Sequence, residues 1–182
     1  MKFRIISGEF RGRVLHAPDC GKAFRPTLER TRESVSEIIK NIVDGARAAD
    51  LCSGSGAFGF EMLSRGASKV DFVEKDRKRF DYIKKNAEIL GITNQCSFFN
   101  SDVNRFIRNS GGGYDIIYYD PPYSLQELQN LVPDILQLLS PDGILIHEHS
   151  SVSGNETGAE LIAYDTRSYG NTIIDFYKRN FQ

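Results

Sequence analysis

Several residue types are scarce or absent in this sequence, and each scarcity argues against a class of protein. The 182 residues contain no tryptophan, three cysteines and two methionines. The cysteines at positions 20, 52 and 96 form no C-x-x-C pair, which argues against a disulfide framework or a zinc site and for a reducing compartment. No apolar run approaches the roughly 20 residues of a membrane helix, and the first residues lack the apolar core of a secretory signal. We therefore predict a cytoplasmic protein without a membrane partner.

Net charge is low overall but unevenly distributed. The whole chain carries −1, whereas residues 1–32 contain eight basic and three acidic side chains, a local charge of +5. The rest of the chain therefore carries −6, the difference between −1 and +5. A basic segment on an acidic body is typical of a surface that binds a polyanion, although a solvated charged arm would have the same composition.

Hydrophobic periodicity predicts strands and helices that alternate along most of the chain. Strands are expected at 2–7, 12–16, 46–51, 69–74, 95–100, 114–119, 144–149, 160–166 and 172–179. Helices are expected at 25–43, from the Gly-rich turn after the strand at 46–51 through about 65, at 76–91, at 103–108, and from Ser124 onward with a kink at Pro133. This alternation indicates an α/β fold with a mostly parallel, doubly wound sheet. We place a basic N-terminal β-hairpin extension at residues 1–24 and the main domain at residues 25–182.

A glycine-rich turn follows the first strand of the main domain. Gly54, Gly56 and Gly59 match G-x-G-x-x-G, which is typical of pyrophosphate binding at a helix N-terminus but also occurs for backbone reasons alone. Acidic residues, however, follow three successive strands. Ligands of such sheets bind beyond the carboxyl ends of the strands, so an acidic edge there suits a cationic nucleoside better than a diphosphate.

The segments DLCSGSGAFG, VEKD and NSDV resemble the motifs of class I S-adenosylmethionine-dependent methyltransferases. The resemblance implies a Rossmann-like, mostly parallel seven-stranded sheet with an antiparallel C-terminal hairpin. It also implies a cofactor, S-adenosyl-L-methionine, whose product is S-adenosyl-L-homocysteine, and no metal. The cofactor-binding residues that it implies are Asp50, Ser53, Gly54 and Gly56 for the methionine part, Glu74 for the ribose hydroxyls and Asp102 beside the adenine.

The sequence Asp120-Pro121-Pro122-Tyr123 ends the strand at 114–119 abruptly. Proline fixes φ and cannot donate to a strand ladder, so the chain leaves the sheet in a stiff turn. We expect Asp120 and the Pro121 carbonyl to accept hydrogen bonds from an exocyclic amine, and Tyr123 to stack on an extruded base. Asp120 would also stabilise the positive charge that develops on the attacking nitrogen. D-P-P-Y at this position resembles the motif of methyltransferases that act on planar amines such as adenine N6 or guanine N2.

The segments RIISGEFRGRVL and FRPTLERTRESVSEII closely resemble the start of the RsmD family, the bacterial 16S rRNA guanine-N2 methyltransferases. The resemblance implies a guanine in 16S rRNA as substrate, presented in the small ribosomal subunit or an assembly intermediate. The arginines expected to bind RNA phosphates are Arg4, Arg11, Arg13, Arg25, Arg30 and Arg32. Ion pairing with Glu29 or Glu33 is an alternative role for Arg30 or Arg32.

Other functions stay open at this point. A DNA adenine-N6 methyltransferase would share D-P-P-Y, but this chain has little room for a target-recognition region. A nucleotide-binding redox enzyme would leave Asp102 and D-P-P-Y unexplained, and a catalytically silent RNA-binding assembly factor would not need them. His147 and His149 lie on one face of a predicted strand, but no third ligand accompanies them, so we expect no metal. We expect a monomer.

Overall fold

The computed structural model describes residues 1–18, 29–122, 125–150 and 162–179, and it consists of a two-stranded hairpin packed beside a seven-stranded sheet. The hairpin pairs β1 (Lys2–Arg4) with β2 (Val14–His16). The large sheet contains β3 (Arg47–Leu51), β4 (Lys69–Val73), β5 (Cys96–Phe99), β6 (Tyr114–Tyr119), β7 (Leu139–Ser150), β8 (Asp165–Tyr169) and β9 (Thr172–Lys178). The helices are α1 (Glu29–Ile38), α2 (Ala57–Ser64), α3 (Arg77–Leu90), α4 (Val103–Asn109), α5 (Gln126–Gln129) and α6 (Val132–Leu136).

The strand order in the large sheet is β5-β4-β3-β6-β7-β9-β8. The five strands from β5 to β7 are parallel, whereas β9 runs antiparallel to β7 and β8 antiparallel to β9. This topology confirms the predicted Rossmann-like sheet with an antiparallel C-terminal hairpin. Strand order reverses between β3 and β6, and such a reversal opens a crevice at the carboxyl ends of the strands.

The central strands are apolar on both faces because helices cover both sides of the sheet. One layer of the core joins the hairpin, α1, α2 and α3 to alternate residues of the strands, such as Ala48 and Ile116. The other layer joins α4 and α6 to the intervening residues, such as Ala49 and Ile117. Within the described ranges, no helix is both long enough and apolar enough to cross a membrane.

Hydrogen bonds attach the N-terminal hairpin segment to helix α2. The buried carboxylate of Glu61 on α2 accepts from the backbone N–H groups of Ile6 and Ser7, at 2.9 and 3.0 Å. Farther along the same segment, Glu9 N–H donates to the Ser64 carbonyl at 2.7 Å. The hairpin also contributes Phe3 and Leu15 to the core. The predicted domain boundary at residues 24 and 25 lies outside the described residues and stays a prediction.

Helix α3 has both of its predicted ends. Asp76 precedes the helix, and its Oδ1 accepts from the Arg79 N–H at 2.8 Å. Gly91 ends the helix with φ +74°, a left-handed conformation that glycine adopts without strain.

Two predictions near the C-terminal half are wrong in form. The single kinked helix from Ser124 is instead two short helices, α5 and α6, with Pro133 in the first turn of α6, where a missing N–H costs no helical bond. Ser124 itself lies outside the described residues. The strand predicted at 144–149 begins earlier, since β7 starts at Leu139 and includes the turn-like Pro141-Asp142-Gly143, and its register against β6 shifts between Tyr114 and Ile116. A bulge of this kind accommodates Pro141, which cannot donate to the ladder.

Candidate active site

Three polar side chains meet where β3, β4 and β6 end. Leu51 of β3 pairs with Val73 of β4 and with Tyr119 of β6. The next residue of each strand is therefore Cys52, Glu74 or Asp120, and the three stand side by side at the reversal of strand order. Cys52 is the central member, and the pKa of its thiol is raised, first by burial and then by the charges of Glu74, Asp120 and Asp50. The site thus brings together Asp50, Glu74 and Asp120, three of the acids predicted from the sequence.

Three alternate residues of the glycine turn after β3 have a left-handed backbone conformation. Cys52, Gly54 and Gly56 have φ of +59°, +57° and +75°, and Cys52 is the one non-glycine residue with positive φ among those described. The Ser53 hydroxyl holds this turn, because it donates to the Asp50 carbonyl at 2.6 Å. Left-handed backbone at a non-glycine residue is strained and is frequent at functional sites.

Gly59 lets the first turn of α2 lie directly on the sheet. A Cβ at this position would come 2.3 Å from Phe72 Cε1 and 3.1 Å from Asp50 Oδ2. The third glycine of the motif is therefore required for helix–strand packing. The first two glycines shape the turn itself.

Asp50 lies under this turn and is 2% exposed. Its Oδ2 accepts from the Gly59 N–H at 3.0 Å, and no described residue is hydrogen-bonded to its Oδ1. Burial raises the pKa of Asp50 to about 8, the Gly59 hydrogen bond opposes the shift, and the charge of Glu74 adds to it. Among the described residues, no cation pairs with this buried carboxyl, which suits a positively charged ligand.

Glu74 connects the glycine turn to the start of α3. Its Oε2 accepts from the Gly54 N–H and its Oε1 from the Asp76 N–H, both at 2.7 Å. Burial raises the pKa of Glu74, although the two backbone hydrogen bonds oppose the shift. A carboxylate has about four lone-pair sites, so each oxygen of Glu74 can accept one more hydrogen bond, as a ribose diol requires.

Asp102 lies one strand farther from the centre and caps α4. Its Oδ1 accepts from the Arg105 N–H at 2.9 Å, as expected of an N-cap residue. Asn100 joins the end of β5 to the end of β4, since its side-chain amide donates to the Glu74 carbonyl at 2.9 Å. The structure therefore gives Asp102 a capping role beside the predicted adenine site, where the residue is half-buried.

The residues after β6 form the predicted stiff turn in part. Asp120 is half-buried and Pro121 is buried, whereas Pro122 is exposed. The Pro122 carbonyl accepts from the Leu125 N–H at 3.0 Å, so it is occupied within the turn. Tyr123 lies outside the described residues.

The predicted RNA-binding arginines fall into different environments. Arg4, Arg11, Arg13 and Arg30 are exposed, whereas Arg25 lies outside the described residues. Arg32 is 2% exposed, and its Nη2 donates to the Arg4 carbonyl at 2.8 Å. Burial lowers the pKa of Arg32, against the charge of Glu61. This position favours a structural role that joins α1 to the hairpin, and we leave Arg32 out of the RNA-binding surface proposed below.

Several polar contacts next to the site are not apparent from the sequence, although His147 and His149 themselves were singled out there. The Tyr118 ring stacks on Phe58 with a centroid distance of 3.8 Å, and its hydroxyl donates to buried Glu148. On the opposite face, His149 Nε2 lies 2.9 Å from Asp175 Oδ2 and the His147 ring stacks on the His149 ring. The one available signal was the period of two in β7, which separates Glu148 from the two histidines.

The histidine pair has partners other than a metal. His147 Nε2 lies 3.2 Å from Gln129 Oε1, and burial lowers the pKa of His147 to about 3. Among the described residues, no group of three or more histidine, cysteine or acidic side chains is placed to hold a metal ion.

Comparison with known proteins identifies the family of this chain. The family model described as conserved hypothetical protein 95 matches residues 3–178. Ribosomal RNA small subunit methyltransferase D of Escherichia coli is 33% identical over 147 residues, which are 81% of this chain and 71% of that protein. The chain belongs to the RsmD family. The Bacillus subtilis protein YlbH is 35% identical to this chain. The match covers 97% of this chain and 98% of YlbH.

A solved structure of a similar protein has the same fold as this chain. The Escherichia coli protein yhhF superposes with a TM-score of 0.84 at 26% identity, and the match covers 100% of both chains. The similarity of this RsmD-family chain therefore includes the N-terminal hairpin as well as the large sheet.

Proposed function

We propose that this protein transfers a methyl group from S-adenosyl-L-methionine to the exocyclic N2 amine of a guanine in 16S rRNA. The observation that carries the proposal is the position of Asp120. Asp120, the first residue of D-P-P-Y, lies beside Cys52 at the reversal of strand order, and Glu74 lies on the other side of Cys52. Asp120, which can accept hydrogen bonds from an amine, is thus close to Asp50 and Glu74, which can bind a cationic cofactor. Methyl transfer from a sulfonium to an amine requires this proximity.

The acidic edge fits the cofactor by its chemistry. Asp50 is a buried carboxyl that no cation of the described segments pairs with, and it supports the methionine part together with Ser53, Gly54 and Gly56. Glu74 has lone pairs left for the ribose hydroxyls, and Asp102 borders the adenine side. When bound, the cofactor supplies an electrophilic methyl group on a positively charged sulfur.

Asp120 and the Pro121 carbonyl then position the amine. Hydrogen bonds accepted from the NH₂ group favour its pyramidal, attacking geometry, because they oppose delocalisation of the nitrogen lone pair into the ring. In-line attack requires the reacting atoms to approach within about 3–3.5 Å. As the new bond forms, the carboxylate of Asp120 stabilises the positive charge on nitrogen. Tyr123 stacks on the extruded base.

The choice of guanine in 16S rRNA rests on family membership. The Escherichia coli relative is named for ribosomal RNA of the small subunit. The exposed Arg4, Arg11 and Arg13 provide cations on the hairpin for the phosphate backbone. We propose that the protein acts as a monomer on the small ribosomal subunit or an assembly intermediate.

The test is methyl transfer to small ribosomal subunits that lack the modification. The protein is incubated with radiolabelled S-adenosyl-L-methionine, and the labelled nucleotide is mapped within 16S rRNA. We expect label on the N2 of a single guanine. Label on an adenine of DNA supplied in parallel, or on protein, would contradict the guanine assignment, and binding of subunits without any transfer would point to an assembly factor.

A further inference from the structure

The N-terminal hairpin and helix α3 form one continuous surface. Asn86 of α3 is 1% exposed and makes two hydrogen bonds to His16 of β2. Its Oδ1 accepts from the His16 N–H at 3.2 Å, and its Nδ2 donates to the His16 carbonyl at 2.7 Å. Three residues farther along the helix, the Ile89 carbonyl accepts from Arg13 Nη2 at 3.2 Å. The hairpin is therefore held against one defined side of α3.

The basic residues of α3 are sorted by helical face. Lys78, Tyr82, Lys85 and Ile89 recur at i, i+4, i+7 and i+11, so they share the face that borders Asn86 and the hairpin. The acids Asp81 and Glu88 lie along one edge of this face, three residues after Lys78 and Lys85 respectively, and Arg77 Nε pairs with Asp81 at 3.1 Å. Lys78 and Lys85 are exposed, and neither forms an ion pair with any described residue.

The outer face of the hairpin also carries exposed basic side chains, next to the lysines of α3. Phe3 and Leu15 point into the core, so the alternate residues Lys2, Arg4 and His16 face outward and are exposed. Lys2 pairs directly with His16, the residue that contacts Asn86. Basic side chains thus extend from β1 across β2 to α3.

The same basic surface also leads to the candidate site. Helix α3 begins directly after Asp76, whose N–H donates to Glu74, so Lys78 in the first turn lies near the acidic edge. From Lys78 to Ile89 the helix extends over about 16 Å. A nucleic acid strand bound along this surface would pass from the candidate site to the hairpin.

We propose that this surface binds the phosphate backbone of the rRNA segment that flanks the target base. We call it the hairpin–helix strip and define it by Lys2, Arg4, Arg13, Lys78, Tyr82 and Lys85. The proposal rests on the proposed function, and it adds α3 to the hairpin as a substrate-binding element. The charge is complementary to RNA and is local, because the whole chain carries −1.

Two neighbouring lysines provide a matched pair of variants. Lys85 faces the strip, whereas the adjacent Lys84 lies on another side of α3, over the Phe80 ring at 5.9 Å. Binding of each variant to unmodified small subunits is measured by filter retention over a range of salt concentrations, together with the KM for methyl transfer. We expect Lys85→Glu to weaken binding and raise KM about tenfold, with a salt slope smaller by about one. Lys84→Glu should change either value less than about twofold.

The readouts separate this inference from the proposed function. If Lys85→Glu and the double variant with Lys78→Glu bind subunits as well as Lys84→Glu does, the strip is wrong, even though the wild type methylates guanine. If the wild type transfers no methyl group, the proposed function fails, while the binding difference between the two lysine variants still supports the strip. Equal S-adenosyl-L-methionine affinity and equal thermal unfolding of all variants show that the fold is intact.

Discussion

The pKa of Asp50 leads to a specific prediction about cofactor binding. Burial raises this pKa to about 8, so the free protein carries a protonated, neutral Asp50 near neutral pH. If Asp50 meets the ammonium group of the cofactor, binding selects the ionised carboxylate and releases a proton. Between about pH 6 and pH 7 the affinity of the wild type should therefore rise about tenfold, with roughly one proton released per cofactor bound. The range stays below the pKa of the cofactor's own α-amino group, which is about 7.7–8.0.

The assay is calorimetric titration of S-adenosyl-L-methionine into the protein, in two buffers with different ionisation enthalpies. Asp50→Asn is the matched control, because the amide is isosteric and its oxygen can still accept from the Gly59 N–H. We expect this variant to bind more weakly, with no dependence on pH in the same range and no linked proton. A wild type without proton release, or a variant with the same pH slope as the wild type, would refute an Asp50–ammonium contact.

The same pKa has a consequence for the stability of the free protein. The folded-state pKa of about 8 lies above the unfolded value, so ionisation of Asp50 favours unfolding. The free energy of unfolding should fall as pH rises from the unfolded pKa, near 3.9, to about 8, by up to about 1.4 kcal/mol per pH unit. Denaturant titrations of the wild type and Asp50→Asn should converge at low pH and diverge as pH rises, with the variant more stable.

Two further predictions concern the amine site and the glycine turn. Asp120→Ala should lower the rate of methyl transfer about a hundredfold or more while leaving cofactor affinity within a few fold, as measured by single turnover and calorimetry; loss of cofactor binding instead would contradict the division of roles. Gly59→Ala should lower the free energy of unfolding by about 1–3 kcal/mol, because its Cβ would overlap Phe72, whereas Gly111→Ala, which has open space around it, should be nearly neutral in the same denaturant assay.

Much of the fold could be predicted because its signals are local. β6 matches the predicted bounds and α3 lies within its predicted range of 76–91, since apolar periodicity, Asp76 and Gly91 act within a few residues of one another. β7 could not be predicted from its turn-like Pro141-Asp142-Gly143, because pairing with β6 and β9 overrides local turn preference. Pro133 was ambiguous for a similar reason, as the same residue can kink one helix or begin another.

For the candidate site, the sequence by itself determined which acids stand at strand ends. Asp50, Glu74 and Asp120 follow apolar runs, and parallel strands bring their carboxyl ends to one edge. Only the tertiary structure decided what each acid does. The register puts Cys52 between Glu74 and Asp120, Gly59 holds one oxygen of Asp50, and Asp102 caps α4.

For the basic residues, too, the sequence determined one property and the tertiary structure another. The sequence determined that residues 1–32 carry an excess of positive charge, because charge is a property of composition. It did not determine that Arg32 would be buried beneath the hairpin, or that Asn86 would join the hairpin to the lysine-bearing face of α3. Those facts depend on contacts between residues about 30 and 70 positions apart, which arise only when burial of the shared apolar core brings distant segments together.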